Sequence, residues 1–437
     1  MPVGPAPRSA VRLSPIDLLT VYLPFQWRRL HARLHRLCVA LGSRGVSALR
    51  RPANPSSGAT PGPVALESQD RAGILLIDTA PPRPDRDSGS LRMYTLMQLL
   101  VSLGYAVTLY CEDEAPSAED VERLRAIDVH VLFPVDGYPH WLLDATTPYS
   151  AIIVCRYHLA WHWMPLLRHA LPHALQILDT VDLHHLRERR EAYLHQSALR
   201  RTIAAQTRRH EMRMIRHADA TWVVSTAERD YLHDLVPDAQ IDVVPNLHDY
   251  VDCIAPFDGR SGLLFVGGGR HPPNIDAITW LLREIFPRIR AQLPDVHLHV
   301  VGDGIVEAAG IVRERHPGVM FHGHVPDLAS LLATCRISIA PLRFGAGVKG
   351  KVTQALVHGL PVVTTPIGAE GLQLESRTHA MIEDAASALA SAAVDLHENP
   401  ALWQRLSDNG RLIMRQRFSL DQVRATLAAR LPAPTKT

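Results

Sequence analysis

Short apolar runs alternate with helical patterns through most of this chain, in two separate series. The first series comprises Ile74–Ile77, Ala106–Tyr110, Val129–Phe133, Ala151–Cys155, Leu175–Leu178, Thr221–Val224 and Asp242–Val244. The second comprises Leu263–Val266, Leu298–Val301, Val319–Phe321, Ile337–Ala340, Val362–Thr364 and Ala380–Ile382. Strand–helix alternation of this kind builds a parallel sheet with helices on both faces. The longest helical pattern runs from about Leu186 to His217. Pro245 to Arg260, with Pro, Asn, Asp and Gly, reads as the linker between the series. The predicted fold is α/β, with two doubly wound Rossmann-like domains at 71–250 and 260–415. A helical extension precedes them at 1–70, and a C-terminal helix at 416–437 is a candidate to cross back to the first domain. Ligands bind at the carboxyl ends of strands in open α/β sheets, so the cleft between the domains is where a site belongs.

Composition narrows the class. A length of 437 residues suits two or three domains with their own cores. With 46% hydrophobic and 21% charged residues, the chain is an ordinary globular protein. A net charge of +2 and the lack of an aromatic-and-basic motif argue against a nucleic-acid partner. Cys38, Cys111, Cys155, Cys253 and Cys335 are odd in number and scattered, which disfavours a disulfide framework or structural zinc and favours a reducing compartment. No apolar run approaches the ~20 residues needed to span a bilayer, and the N-terminus lacks the features of a secretory signal. The expected location is the cytoplasm.

The most specific local pattern is "PLRFGAGVKGKVTQALVHGLPVVTTPIGAEGL", Pro341 to Leu372. An apolar run ends in a loop carrying Gly345, Gly347 and Gly350. Lys349 and Lys351 stand at the start of a helical segment, Val352 to His358. Backbone N–H groups, a helix dipole and two lysines in that order form a place to hold phosphate oxygens. A solvated turn would use the same residues, so the flanking sequence has to decide.

That flanking sequence resembles the C-terminal domain of family-4 retaining glycosyltransferases, which have the two-domain GT-B fold. The resemblance rests on "LLFVGGGRHPPNIDAITWL" (Leu263–Leu281), "LHVVGDG" (Leu298–Gly304) and "VMFHGHVPDLASLLATCRISIAPL" (Val319–Leu342) in the right order, together with the glycine–lysine loop. A weaker resemblance covers "ILLIDTAPPRPDRDSGSLRMYTLMQLLVSLGYAVTLY" (Ile74–Tyr110). "ILDTVDLHHLRERREA" (Ile177–Ala192) is similar to a segment of polysaccharide-building members.

The family implies a nucleotide-diphosphate sugar as donor, with no metal required and no cofactor. It places the donor on Gly89 and Ser90 of the first domain, and on Gly268, Arg270, Gly302, Asp303, Gly347, Lys349, Lys351 and Gln354 of the second. It sets His158, after "AIIVCRY", beside the reacting sugar, with Lys351 as the second catalytic residue. A half-buried structural histidine is the competing reading of His158. Asp179, Asp182 and His184 follow the next strand and are candidates for the acceptor side. The implied chemistry is front-face transfer, in which the enzyme stabilises negative charge on the leaving diphosphate.

The chain departs from the family in places. Many members carry two glutamates spaced by seven residues around the glycine loop; here Ala346 and Gln354 occupy those positions. Gln354 can still hydrogen-bond ribose hydroxyls, without a carboxylate's charge. The usual arginine and lysine after the first strand fall near Gly268 and Asn274, with Arg270 between them.

Other motifs carry less. Asp85 and Asp87 form an Asp-x-Asp pair, which reads as loop polar groups rather than a metal site. Gly267–Gly269 is followed by Pro272 and Pro273, which breaks a dinucleotide fingerprint. His158 and His162 would share a helix face, but no third metal ligand is evident. In the extension, Trp27, Leu30, Leu34, Leu37 and Leu41 recur at helical spacing, and seven arginines and no acid occur from Tyr22 to Arg51. Such a helix can lie on an anionic inner-leaflet surface or dock its leucine face on the protein body.

The expected activity is retaining transfer of a hexosyl or deoxyhexosyl group from a nucleotide-diphosphate sugar to a glycan or lipid-linked acceptor in cell-surface polysaccharide synthesis. The alternatives are a nucleotide-sugar epimerase of the same architecture and a non-catalytic nucleotide-sugar-binding subunit.

Overall fold

The structure, a computed structural model, describes residues 71–132, 149–246, 254–418 and 420–434. The extension at 1–70, Cys38 and Cys253 lie outside the described residues. The first sheet contains β1 (Gly73–Asp78), β2 (Ala106–Cys111), β3 (Val129–Leu132), β4 (Tyr149–Cys155), β5 (Leu175–Asp179), β6 (Ala220–Val223) and β7 (Ile241–Val243). The second contains β8 (Leu263–Val266), β9 (Leu298–Val301), β10 (Val319–Gly323), β11 (Ile337–Ala340), β12 (Val362–Thr364) and β13 (Met381–Ile382). The strand orders are 3-2-1-4-5-6-7 and 10-9-8-11-12-13. Every strand pair is parallel. In each sheet the order reverses beside the first strand, β1|β4 and β8|β11, which is the switch point where a doubly wound sheet opens a ligand crevice.

Burial explains the apolar runs. All six residues of β1 and of β2 are buried, because helices cover both faces. One face of the first sheet packs on α1 (Ser88–Ser102), with Met93, Leu96, Met97 and Leu100 in the core. The other packs on α3 (Tyr157–Ala170), which contributes Leu159, Trp163 and Leu167. Helix α2 (Ala118–Arg125) closes the β2–β3 crossover behind a capping box of Ser117 and Asp120.

The long helical pattern expected from Leu186 to His217 is two helices, α4 (His184–Leu194) and α5 (Ala198–His217). Gln196 takes a left-handed φ of 50°, and the Ser197 hydroxyl then accepts the Arg200 N–H at 3.3 Å to start α5. Capping thus breaks a run that periodicity alone leaves continuous. Arg260, at the end of the expected linker, is only 1% exposed. Its guanidinium donates to the carbonyls of Ala255, Leu332 and Cys335 and lies over the Trp403 ring.

Helix α6 (Thr226–Leu235) joins β6 to β7, and in the second domain α7 (Pro272–Trp280), α8 (Gly350–Val357), α9 (Ala386–Glu398) and α10 (Pro400–Arg417) pack on the sheet. The last helix, α11 (Leu420–Arg430), returns to the first domain. Val423, Leu427 and Leu431 enter that domain's core, and Arg430 pairs with Asp242 through two contacts of 2.7 and 3.0 Å.

Candidate active site

The carboxyl ends of β1, β4 and β5 form the first wall of the cleft. β1 ends at Asp78, whose carboxylate accepts the Thr79 N–H at 2.7 Å and pairs with Arg156. Burial raises the Asp78 pKa, against the opposing charge of Arg156. Arg156 leaves β4 with φ of 68° and leads into α3. β5 ends at Asp179, which is fully buried and bonded to Arg92 at 2.6 Å. Asp179 therefore does not face the acceptor side of the cleft. It accepts the Val181 N–H at 3.1 Å and so anchors the turn that follows.

That turn is unusual. The Asp182 N–H bonds the Thr180 carbonyl at 2.7 Å across Val181, which has φ of 62°. A three-residue turn with positive φ is the rare, strained form of the γ-turn, and a β-branched residue suits it poorly. The turn delivers Asp182 to the His184 Nε2 at 3.1 Å and to Arg187. Burial alone would raise the Asp182 carboxyl, but Arg187 and then His184 hold it far below the usual range. The His184 ring stacks on His158, with centroids 5.7 Å apart, and Tyr157 stands edge-on to both. The structure thus joins His158, Asp182 and His184 in one cluster.

The second wall is built from close backbone approaches. A Cβ on Gly302 would lie 2.0 Å from the Gly267 carbonyl oxygen, and one on Gly269 would lie 2.2 Å from that of Gly304. Only glycines let the loops after β8 and β9 pack this tightly. Gly268 accepts a hydrogen bond from the Asn274 amide at 3.0 Å, and Asn274 Oδ1 accepts from Lys351 Nζ at 2.5 Å. Burial and then the charge of Lys349 push the Lys351 amine down to about 7. Lys349 is turned inward, its amine donating to the carbonyls of Ala346 and Gly347 within its own loop. Burial pushes it down to about 8, partly offset by Glu370. Lys349 therefore shapes the glycine loop, and Lys351 is the lysine that spans from α8 to the β8 loop. Ala346, at the position where the resemblance leads one to expect a glutamate, is buried in the first domain's core cluster.

The walls meet at two helix N-termini. A Cβ on Gly350, the first residue of α8, would lie 2.2 Å from the Cβ of Ser88, the first residue of α1. The first-turn N–H groups of an α-helix have no intrahelical partners and carry the positive end of the dipole. Two such ends facing each other make a cradle for an anion. Gly89 and Ser90 lie in the first turn of α1, Lys351 and Gln354 lie in α8, and Gly347 packs against the Val181–Asp182 turn. Asp87 caps α1, accepting from the Ser90 N–H and hydroxyl at 2.8 Å each. Asp85 faces His324 across the cleft at 3.0 Å. Arg190 closes the opposite edge, bonding Glu370 at 2.5 and 2.6 Å and the Gly345 carbonyl at 2.6 Å. Arg270 is exposed, and Asp303 pairs with Arg86 at 3.3 Å.

The model of the family described as "Glycosyl transferases group 1" matches residues 260–399, and that of "Glycosyltransferase Family 4" matches residues 90–250. The chain is a group 1, family 4 glycosyltransferase. Solved structures share its GT-B fold. Sucrose-phosphate synthase of Thermosynechococcus elongatus superposes with a TM-score of 0.61 at 16% identity, over 82% of this chain and 98% of that one. HepE of Anabaena, solved with UDP-glucose, superposes with a TM-score of 0.60 at 15% identity, over 82% and 98%. An uncharacterized 44.6 kDa protein in the cps region of Klebsiella pneumoniae is 31% identical over 116 residues. That match spans 25% of this glycosyltransferase and 30% of the relative.

Sequence reasoning did not single out Arg156, Arg190, Glu370 or Val181. Arg156 had a usable signal, because a charged residue directly after an apolar strand stands at the sheet's ligand-binding end. The Arg190–Glu370 pair spans the two domains and has no local signature.

Proposed function

We propose that this glycosyltransferase moves a hexose or deoxyhexose from a nucleotide-diphosphate sugar to a glycan or lipid-linked acceptor, with retention of configuration, in cell-surface polysaccharide synthesis. The observation that carries the reading is the meeting of the α1 and α8 N-termini at Ser88 and Gly350, with Lys351 alongside. Two dipole ends and an amine match a diphosphate, and they act most strongly on the charge that develops as the sugar leaves. The cps-region relative supports the pathway, and HepE, solved with UDP-glucose, supports the class of donor.

The chain's own residues supply the rest of the chemistry. Lys351 and the backbone N–H groups around Gly89 and Gly347 hold the leaving diphosphate, while His158, oriented by its stack on His184, bonds the sugar or the acceptor hydroxyl. Asp182 fixes the His184 ring through their 3.1 Å contact. No step requires a metal.

A thermal-shift screen against a panel of nucleotide sugars, followed by anomeric analysis of products formed on lipid-linked acceptors, tests the reading. Stabilisation by one donor and a product with the donor's anomeric configuration are expected. An inverted product removes the retaining assignment, and free epimerised sugar favours an epimerase. Binding without any turnover fits a non-catalytic subunit, for which Ala346 and Gln354 are the supporting residues.

A further inference from the structure

Residues 184–217 carry nine arginines against three glutamates, while the whole chain has a net charge of only +2. They form the antiparallel hairpin of α4 and α5. Its acids are engaged or covered. Glu211 is buried and accepts the His184 and His185 N–H groups at 2.9 and 3.0 Å, Glu191 pairs with Arg200 at 2.5 Å, and Glu188 is half-buried. Helix α5 therefore has no exposed acid. Arg201, Arg208, Arg209, Arg213 and Arg216 are all exposed and recur along one face at helical spacing. Tyr193 and Leu199, on either side of the hairpin turn, are the most exposed large apolar residues among those described, at 66% and 65%. The turn lies beside the cleft, with His195 edge-on to Phe344 of the glycine loop and Arg190 bonded to the Gly345 carbonyl.

We propose that the α4–α5 hairpin docks on an anionic bilayer surface. Tyr193 and Leu199 enter the headgroup layer, and the arginine face of α5 pairs with lipid phosphates. A basic helix with apolar residues at its edge matches an interface where charge meets hydrocarbon. A nucleic acid would take the arginines but leave the apolar tip in water. This surface is separate from the first seventy residues. It rests on the proposed function only for its purpose, which is to bring a lipid-linked acceptor to the mouth of the cleft.

Flotation of the full-length chain with phosphatidylglycerol-containing and pure phosphatidylcholine vesicles tests the docking. Binding to the anionic vesicles alone, weakened by salt, is expected. The Arg201→Glu/Arg208→Glu/Arg209→Glu variant should lower the partition coefficient at least about tenfold. Tyr193→Ser/Leu199→Ser should lower the binding that survives at high salt. Both variants should melt with the wild type and keep its response to nucleotide sugars, so a failed flotation and a failed donor assignment are separate results. Wild-type flotation by both variants moves the contact to another segment and overturns the proposal. So does no flotation at all, or binding of single-stranded RNA in its place.

Discussion

A Cβ on Gly350 would lie 2.2 Å from the Cβ of Ser88, so the first turns of α8 and α1 meet with no room for a side chain. Gly350 does not adopt a left-handed φ. Alanine at this first position of α8 therefore adopts the same backbone without strain. The obstacle lies entirely across the cleft. Gly350→Ala should therefore leave each domain folded but push the two first turns apart, lowering kcat/KM for the donor at least about tenfold, or ~1.4 kcal/mol. Removing the opposing Cβ in Ser88→Gly/Gly350→Ala should restore most of the loss. Wild-type turnover in the single variant would mean that the two N-termini need not meet during the reaction.

Lys351 gives the site a measurable proton signature. Its amine lies at about 7, pushed down by burial and then by Lys349. At pH 8 it is mostly neutral in the free enzyme. A bound diphosphate favours the charged form and raises the pKa, so donor binding should take up a proton. Calorimetry at pH 8 in buffers of different ionisation enthalpy should show that uptake, and Lys351→Met should lose most of it. Lys351→Ala should weaken nucleotide binding by roughly 1.5–3 kcal/mol without unfolding the protein. The same shift has a consequence for stability. The folded state holds fewer protons than the unfolded chain between about 7 and the usual 10.5 of lysine, so this group's contribution makes the protein more stable as pH rises through that window.

Much of this arrangement was legible in the residues. Each expected strand run falls on an observed strand, because a strand buried on both faces must be apolar throughout, as β1 and β2 are. The glycine loop was legible for a similar reason, since close backbone approach leaves glycine no substitute. What stayed hidden depends on side chains meeting across the fold. Lys349 and Lys351 look equivalent in sequence, yet one bonds its own loop's carbonyls and the other reaches Asn274. Asp179 looked like a cleft residue, but Arg92, 87 positions away, holds it below the surface.

The Asp-x-Asp loop bears on the question of a metal. Asp87 is occupied as the cap of α1, and Asp85 faces His324. Turnover is therefore expected to survive EDTA. Asp87→Asn, an equally good cap, should keep wild-type activity, while Asp87→Ala should cost about 1 kcal/mol of stability. Loss of turnover on chelation, restored by manganese or magnesium, would instead make this loop a donor-bridging metal site.

Val181 is the residue where fold and reaction are most directly opposed. Its φ of 62° is unfavourable for a β-branched side chain, and such strain costs on the order of 1–3 kcal/mol. Neighbouring bonds hold it in place: Thr180 to the Trp222 carbonyl at 3.0 Å, Val181 N–H to Asp179 at 3.1 Å, and Asp182 to Arg187. The result is a fixed Asp182 beside His184, with Gly347 packed against the same turn. Glycine at this position releases the strain but adds backbone freedom to the unfolded chain, which costs about 0.5–1 kcal/mol. Val181→Gly also loses a side chain that packs on the first core, so its melting temperature should stay near the wild-type value while kcat falls several-fold, because the turn no longer fixes Asp182. Val181→Ala keeps a Cβ and the constraint, so it should lose less kcat than the glycine variant. Steady-state kinetics beside thermal melts will separate the accounts: a glycine variant that is less stable and fully active would make the turn scaffolding and leave Asp182 without a positioning device.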